Sequence, residues 1–405
     1  MLENLKFEKI TDGTPFAYSI ANSIVQDSKG FIWFATDVGL ARYDGQNLRL
    51  FDPYYEDSQN PRDYSIKFMT QRENGNLIFL STYLSSLIEF DIIMERFTVH
   101  SPFDNFRFVS NLVEVNHNKL LIGTQGNGIY ILDLRHKQLR EFETDITTKD
   151  KSPKCQFIKC LYPDKHSQKT YIGTYYEGLF VFDNELETFE HLNYDVENNK
   201  HVIVNTIFRD SQSNLWIGQT NGLFLLDSHN NLVSKFSHDN DLPDTISGNW
   251  VTSICEDGQG LIWVGTKFGG LNCYSPEEKR FYRIKLNKHN SIGKFTNDIN
   301  ILFKDKTNVI WIGNRFGGYG KFSKDEKQFY CLDSETLPRT SEIDVHTLFI
   351  DSKNSFWLGT WANGLYKYYL SPDNKYELLK FEDMDKTSIL SIVSDEENGL
   401  WIGCN

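Results

Sequence analysis

One stretch of this chain is repeated at intervals near 46 residues, and that repetition limits the fold more than any other property of the sequence. GFIWFATDVGLARYDG (30–45) returns as LIFLSTYLSSLIEFD (77–91), LLIGTQGNGIYILD (120–133), TYIGTYYEGLFVFD (170–183) and LWIGQTNGLFLLD (215–227). It continues as IWVGTKFGGLNCY (262–274), IWIGNRFGGYGKF (310–322), FWLGTWANGLYKY (356–368) and LWIGC (400–404). The aligned anchors are Trp33, Phe79, Leu121, Tyr171, Trp216, Trp263, Trp311, Trp357 and Trp401. Their spacings are 46, 42, 50, 45, 47, 48, 46 and 44.

Each unit reads as four strands. A short apolar strand A, such as NSIVQD (22–27), precedes a polar turn that begins with Asp in most units. Strand B carries the anchor and is apolar on both faces, the mark of a strand covered on both sides. A turn closed by glycine leads to strand C, and strand D is the outermost. Helical repeats need apolar positions at i, i+3 and i+4 over ten residues or so, and the turn residues interrupt every such window. The fold class is therefore all-β: a β-propeller of four-stranded blades. Ala35, Ser81, Gly123, Gly173, Gly218, Gly265, Gly313, Gly359 and Gly403 stand two places after the anchor and are read as clearance for a neighbouring backbone. Asp27, Asp210, Asp257, Asp305, Asp351 and Asp395 are read as turn caps, and the anchor tryptophans as core.

A ring must hide its first and last strands. LKFEKI (5–10) reads as a strand D without a blade, which completes the last blade of a seven-bladed ring over 1–325. An eight-bladed ring is the alternative. Residues 326–405 read as the incomplete start of a second propeller, ending inside a fold with exposed strand edges. The net charge of −13 supplies no basic footprint for nucleic acid. No apolar run approaches the length of a membrane helix, and MLENLKFEKI lacks the apolar segment of a signal peptide. Six scattered cysteines without a CxxC pair read as buried free thiols, not as a disulfide framework or zinc site.

GFIWFATDVGLARYDG, LWIGQTNGLFLLD and GLIWVGTKFGGLNCY together resemble the two-component-regulator propeller repeat, and the resemblance covers nearly the whole chain. It implies the periplasmic sensor region of a Bacteroides-type hybrid two-component system: two seven-bladed propellers, a small β-sandwich, a membrane helix, a histidine kinase and a response regulator. It also implies dimers, and an oligosaccharide ligand released from a polysaccharide. This chain carries no kinase or receiver motif and no membrane segment of its own.

Blade geometry predicts the binding face. The B–C and D–A connections emerge together, and the B–C turns differ sharply from unit to unit. They supply Tyr83, Gln125, Asn127, Tyr175, Tyr176, Glu177, Asn221, Lys267, Phe268, Arg315, Phe316, Trp361 and Asn363. Loops on a rigid scaffold are where binding residues gather. Aromatic faces suit the CH side of a pyranose and amides suit its hydroxyls, while Lys267 and Arg315 could share an anion such as a uronate or sulfate. Phe268 and Phe316 have an alternative role, packing on the neighbouring blade. For Tyr175, Tyr176 and Trp361 it is surface or inter-propeller packing. The ten histidines show no metal-binding spacing, and no nucleophile elbow, P-loop or dinucleotide fingerprint occurs. The sequence thus predicts no catalytic residue, metal or cofactor. A propeller polysaccharide lyase and a protein-interaction scaffold stand as the alternatives to a glycan sensor.

Overall fold

Six residues separate the turn aspartate from the anchor tryptophan wherever both occur, and this spacing organises the blade. In Asp257, one carboxylate oxygen accepts the turn amides of Gln259 and Leu261 at 2.8 and 3.0 Å. The other accepts the indole N–H of Trp263 at 2.9 Å. The same double bond set ties Asp27 to Trp33, Asp210 to Trp216 and Asp305 to Trp311. The aspartates are turn caps, as expected, and they also satisfy the one polar atom of a buried indole. That second role keeps the burial of a large ring free of an unpaired donor.

A computed structural model describes residues 5, 7–11, 14, 16–51, 65–81, 86–100, 109–116, 118–142, 156–164, 166–194, 202–284, 296–315, 317–323, 344–352, 355–370, 376–395 and 399–405. They fall into two units, Met1–Glu326 and Lys327–Asn405. The first holds seven four-stranded antiparallel sheets. Blade 1 runs Ala21–Gln26, Ile32–Thr36, Gly39–Tyr43 and Leu48–Phe51. Blades 2 to 6 repeat that order, with strands A at Ile66–Gln71, Val109–Asn116, Ile158–Asp164, Val204–Arg209 and Val251–Glu256. Blade 7 takes Ile299–Lys304, Ile310–Asn314 and Tyr319–Phe322 from its own segment and Phe7–Lys9 from the N-terminus. Phe7 lies opposite Phe322, with their rings 4.9 Å apart. The ring closes between blades 7 and 1, where the Asn300 amide donates to Ala21 O at 2.7 Å and the Lys306 amide N–H to Gln26 Oε1 at 2.8 Å.

The core lies between blades. Trp33, Trp216, Trp263 and Trp311 are buried among aromatic neighbours. The small residue two places after the anchor leaves room for the first residue of the next blade. A Cβ at Gly173 would stand 2.7 Å from a Val204 methyl, and at Gly265 2.5 Å from an Ile299 methyl. The series runs round to Gly313, whose Cβ would meet Ala21 of blade 1 at 3.0 Å.

Blade 2 departs from the sequence reading. Its register sets Ile78 opposite Thr70, as Trp33 is set opposite Val25 in blade 1. The anchor position is therefore Ile78 and the clearance position Leu80, one residue before the expected Phe79 and Ser81. The turn aspartate is replaced by Arg72, which is buried and pairs with Glu89 at 2.7 Å.

The second unit contains a four-stranded sheet (Val345–Ile350, Phe356–Thr360, Leu365–Leu370, Tyr376–Phe381) and a two-stranded one (Ile389–Ser394, Leu400–Cys404). Here the expectation that anchors are core fails for the last copy. Trp401 is 67% exposed, because among the described residues no further blade covers it. No described helix is long and apolar enough to cross a membrane.

Cys160, Cys255 and Cys273 are buried thiols and Cys404 is an exposed one; Cys155 and Cys331 lie outside the described residues. Burial pushes the Cys160 thiol up to about 12 and drives Cys255 upward too. Iodoacetamide at pH 8 is expected to label Cys404 in the folded protein and the three buried thiols only after denaturation, as read by peptide mapping. Labelling of Cys160 at the rate of Cys404 would contradict this packing.

Candidate functional site

The B–C turns are held rigidly by the residue that ends strand B. The hydroxyls of Thr124, Thr174 and Thr266 donate to Gly128 O, Gly178 O and Gly270 O at 2.8–2.9 Å. The glycine that receives this bond takes a left-handed conformation, φ +78° at Gly178 and +90° at Gly270. The side chains between are thus presented from a fixed frame.

Two aromatic groups stand on this face. The first joins blades 3 and 4. The segment Gln156–Phe157 laces both turns, accepting from the amides of Gly126 and Gly128 at 2.9 and 3.0 Å and from Tyr175 at 2.9 Å. Gln125 donates its amide to the Tyr175 hydroxyl at 3.0 Å. Tyr176 lies 6.0 Å from the Tyr175 ring and 5.8 Å from Phe157, and is 51% exposed. Lys159 holds its ammonium 5.5 Å from the Tyr175 ring.

The second group belongs to blade 6. The Lys267 ammonium sits 4.1 Å from the Trp250 ring and 5.1 Å from Phe268. Phe268 is 71% exposed and has φ +68°, a conformation that a bulky side chain rarely takes. Among the described residues it is left largely uncovered. Arg315, on the adjoining blade 7, is exposed and its Nε is 3.7 Å from Asp298.

The other predicted residues are placed differently. Asn127 is exposed, and its backbone amide donates to Thr124 Oγ1 at 3.1 Å. Glu177 and Asn221 are partly buried, each with a buried side-chain oxygen that has no hydrogen-bond partner among the described residues. Burial pushes the Glu177 carboxyl up. Trp361 is in the second unit, half-exposed, with its ring 5.5 Å from His346. Asn363 lies in the same turn. Tyr83 and Phe316 lie outside the described residues. The sequence reading missed Phe157, Lys159 and Trp250, which sit in or just before strand A and not in a B–C turn. A cavity of about 500 Å³ opens at the opposite ends of the A strands, lined by Gln71, Glu73, Glu114, Lys304 and Lys306 among others, and collects none of the predicted residues.

Residues 245–268, which span Trp250, Lys267 and Phe268, match the family model described as two component regulator propeller. Among solved structures, the extracellular domain of a hybrid two-component system from B. thetaiotaomicron is 23% identical with a TM-score of 0.63; the match covers 98% of this chain and 51% of that one. The chain thus spans about half the length of that structure. A virginiamycin B lyase from Staphylococcus aureus superposes with a TM-score of 0.59 at 10% identity, over 79% of this chain and 99% of the lyase. The WD40 propeller domain of Doa1 gives 0.57 at 9% identity, over 81% of this chain and all of that one. These likenesses establish the propeller fold. No curated protein matches the chain at a significant level.

Proposed function

We propose that this chain, built of two-component-regulator propeller repeats, is the ligand-facing part of a hybrid two-component sensor and binds an oligosaccharide. Its kinase lies outside this sequence, its place is the periplasm, and the assembled sensor is a homodimer. Residues 326–405 begin a second propeller. The observation that carries the reading is the rim of exposed and half-buried rings interleaved with amide and basic groups on one face of the ring. Phe157, Tyr175 and Tyr176 stand on one side, and Trp250, Lys267 and Phe268 on another. Exposed aromatic surface costs solvation and is kept where something covers it, and flat rings flanked by hydrogen-bonding groups suit a sugar.

Calorimetry against a panel of polysaccharide-derived oligosaccharides tests the reading. Saturable binding is expected, weakened about tenfold by Tyr176→Ala or Phe268→Ala, the loss of one ring contact of roughly 1.4 kcal/mol. A folded chain that binds no oligosaccharide would overturn it. Release of unsaturated products absorbing in the ultraviolet would move the assignment to a lyase, and a stoichiometric protein partner in place of a sugar would move it to a scaffold.

A further inference from the structure

Gln26, Glu114, Glu256 and Lys304 hold one position near the end of strand A, opposite Ile32, Leu120, Ile262 and Ile310, the residue before each anchor. In three of these four blades the side chain accepts a backbone amide from the A–B turn of the preceding blade. Gln26 takes that of Lys306 at 2.8 Å, Glu114 that of Glu73 at 2.6 Å and Glu256 that of Ser211 at 2.8 Å. The bond latches one blade to the next. A lysine has donors only and cannot make it. Lys304 is exposed and forms no hydrogen bond or ion pair with a described residue.

Lys304 instead lines the cavity of about 500 Å³ at this end of the ring, a volume inside the range of roughly 300–1,000 Å³ usual for small-molecule sites. Blades 1, 2, 3, 4 and 7 contribute to its wall. Its buried acids are already engaged. Glu114 accepts from Arg72, Asn118 and Glu73, and Asp164 from His166, Ser167 and Arg209. Glu73 is exposed and belongs to blade 2, with blade 1 between it and blade 7. The cations of blade 7 have no described carboxylate to pair with. Lys306 gives its ammonium to Asp27 O at 3.1 Å, and Lys304 gives its own to no described group. Two amides on the same wall keep unused capacity. Asn184 is 6% exposed; its Oδ1 accepts from Thr170 at 2.8 Å, while no described residue accepts from its Nδ2. Gln71 donates to Gly75 O at 3.2 Å, and no described residue donates to its Oε1. A buried polar group left without a partner costs stability that a bound ligand can restore.

We infer that this cavity is a second binding site, for a small hydroxylated anion. Lys304 and Lys306 hold its carboxylate or phosphate group, and Asn184 and Gln71 bond its hydroxyls. Val25, Val115 and Phe303, in the same wall, cover its carbon skeleton. The charge left unpaired is positive, which selects an anion. One amide with a donor to spare and one with an acceptor to spare select hydroxyls, which both give and receive. The inference is independent of the oligosaccharide reading, because the aromatic groups stand at the other end of the ring.

The test uses the full chain as wild type, Lys304→Met and Lys304→Arg. Lys304 makes no described bond, so both variants are expected to melt with the wild type. Calorimetry is run with three probes of similar size: gluconate, glucose 6-phosphate and neutral glucose. At least one of the two anions is expected to bind saturably, and at least tenfold tighter than glucose. Lys304→Met is expected to weaken that anion at least tenfold, and Lys304→Arg, which keeps the charge, to retain most of its affinity. Binding of gluconate alone assigns the site to a carboxylate, and binding of glucose 6-phosphate alone to a phosphate. A folded wild type that binds neither anion overturns the site, as does binding that Lys304→Met leaves unchanged or that glucose matches. An oligosaccharide bound with neither anion removes this site and leaves the reading of the aromatic rim standing. An anion bound through Lys304 with no oligosaccharide upholds this site and removes the sugar from the rim.

Discussion

Gly218→Val is expected to unfold the ring or to cost about 3 kcal/mol or more, at the upper end of what overpacking a filled core does. A Cβ at Gly218 would stand 2.5 Å from a Thr206 methyl in its own blade and 2.5 Å from a Val251 methyl in the next. The crowding comes from both sides, so neither strand can yield without disturbing a neighbour. Valine adds two methyls beyond that Cβ. Its good strand propensity does not help, because the position is limited by space and not by backbone conformation. Chemical denaturation of Gly218→Ala, Val251→Ala and the double variant separates this from a general loss of stability. The pair should couple, with Val251→Ala recovering part of the cost of Gly218→Ala. Additive effects would show that the glycine is not a clearance between blades.

Arg72→Ala should be nearly as damaging, for an electrostatic reason. Arg72 bonds Glu89 at 2.7 Å and Asn118 at 2.9 Å, and reaches Glu114 at 3.4 Å. Glu89 also meets His100 and Asn76, each at 2.9 Å. Removing the guanidinium leaves two buried carboxylates without their cation, a loss of about 3–5 kcal/mol by the usual cost of breaking a buried pair. Burial alone would raise the Glu89 carboxyl, but hydrogen bonds from His100, Asn76 and Arg72, with the Arg72 charge, hold it well below its ordinary 4.5. The group is thus more acidic folded than unfolded. Its contribution is complete above pH 4.5 and is lost as pH falls through the range beneath. Glu89→Gln should flatten the acid limb of a stability–pH curve measured between pH 2 and 6. An unchanged limb would mean that Glu89 does not govern acid unfolding.

What the sequence made legible was what repeats. The blade order follows from residues that recur because each blade needs the same turn, anchor and clearance. Where a blade uses different chemistry for the same task, the reading slipped. In blade 2 the eye follows Phe79 as the nearest bulky match to tryptophan, while the pairing selects Ile78. The Asp-to-Trp bond was present as a constant spacing of six, yet a turn cap already accounted for each aspartate. The candidate site was legible in half: variability marked the B–C turns, and Tyr175, Tyr176, Lys267 and Phe268 lie in them. Lys159 and Trp250 escaped because they lie at the start of strand A, where the bulge turns a core strand into part of the rim. Only the three-dimensional register exposes that exchange.

The pairing of Phe7–Lys9 with Tyr319–Phe322 also sets the order in which the ring can be completed. Phe7 and its partner Phe322 are more than 300 residues apart, so this pairing closes a far longer loop than any hairpin of the ring and forms more slowly. Blades 1 to 6 draw all four strands from consecutive segments and can form by local pairing. The seventh cannot, so the ring's first strand in chain order is the last to be used. Until then Phe7 lacks its Phe322 partner, and a chaperone that holds this strand would act on the ring's closure and on no other step.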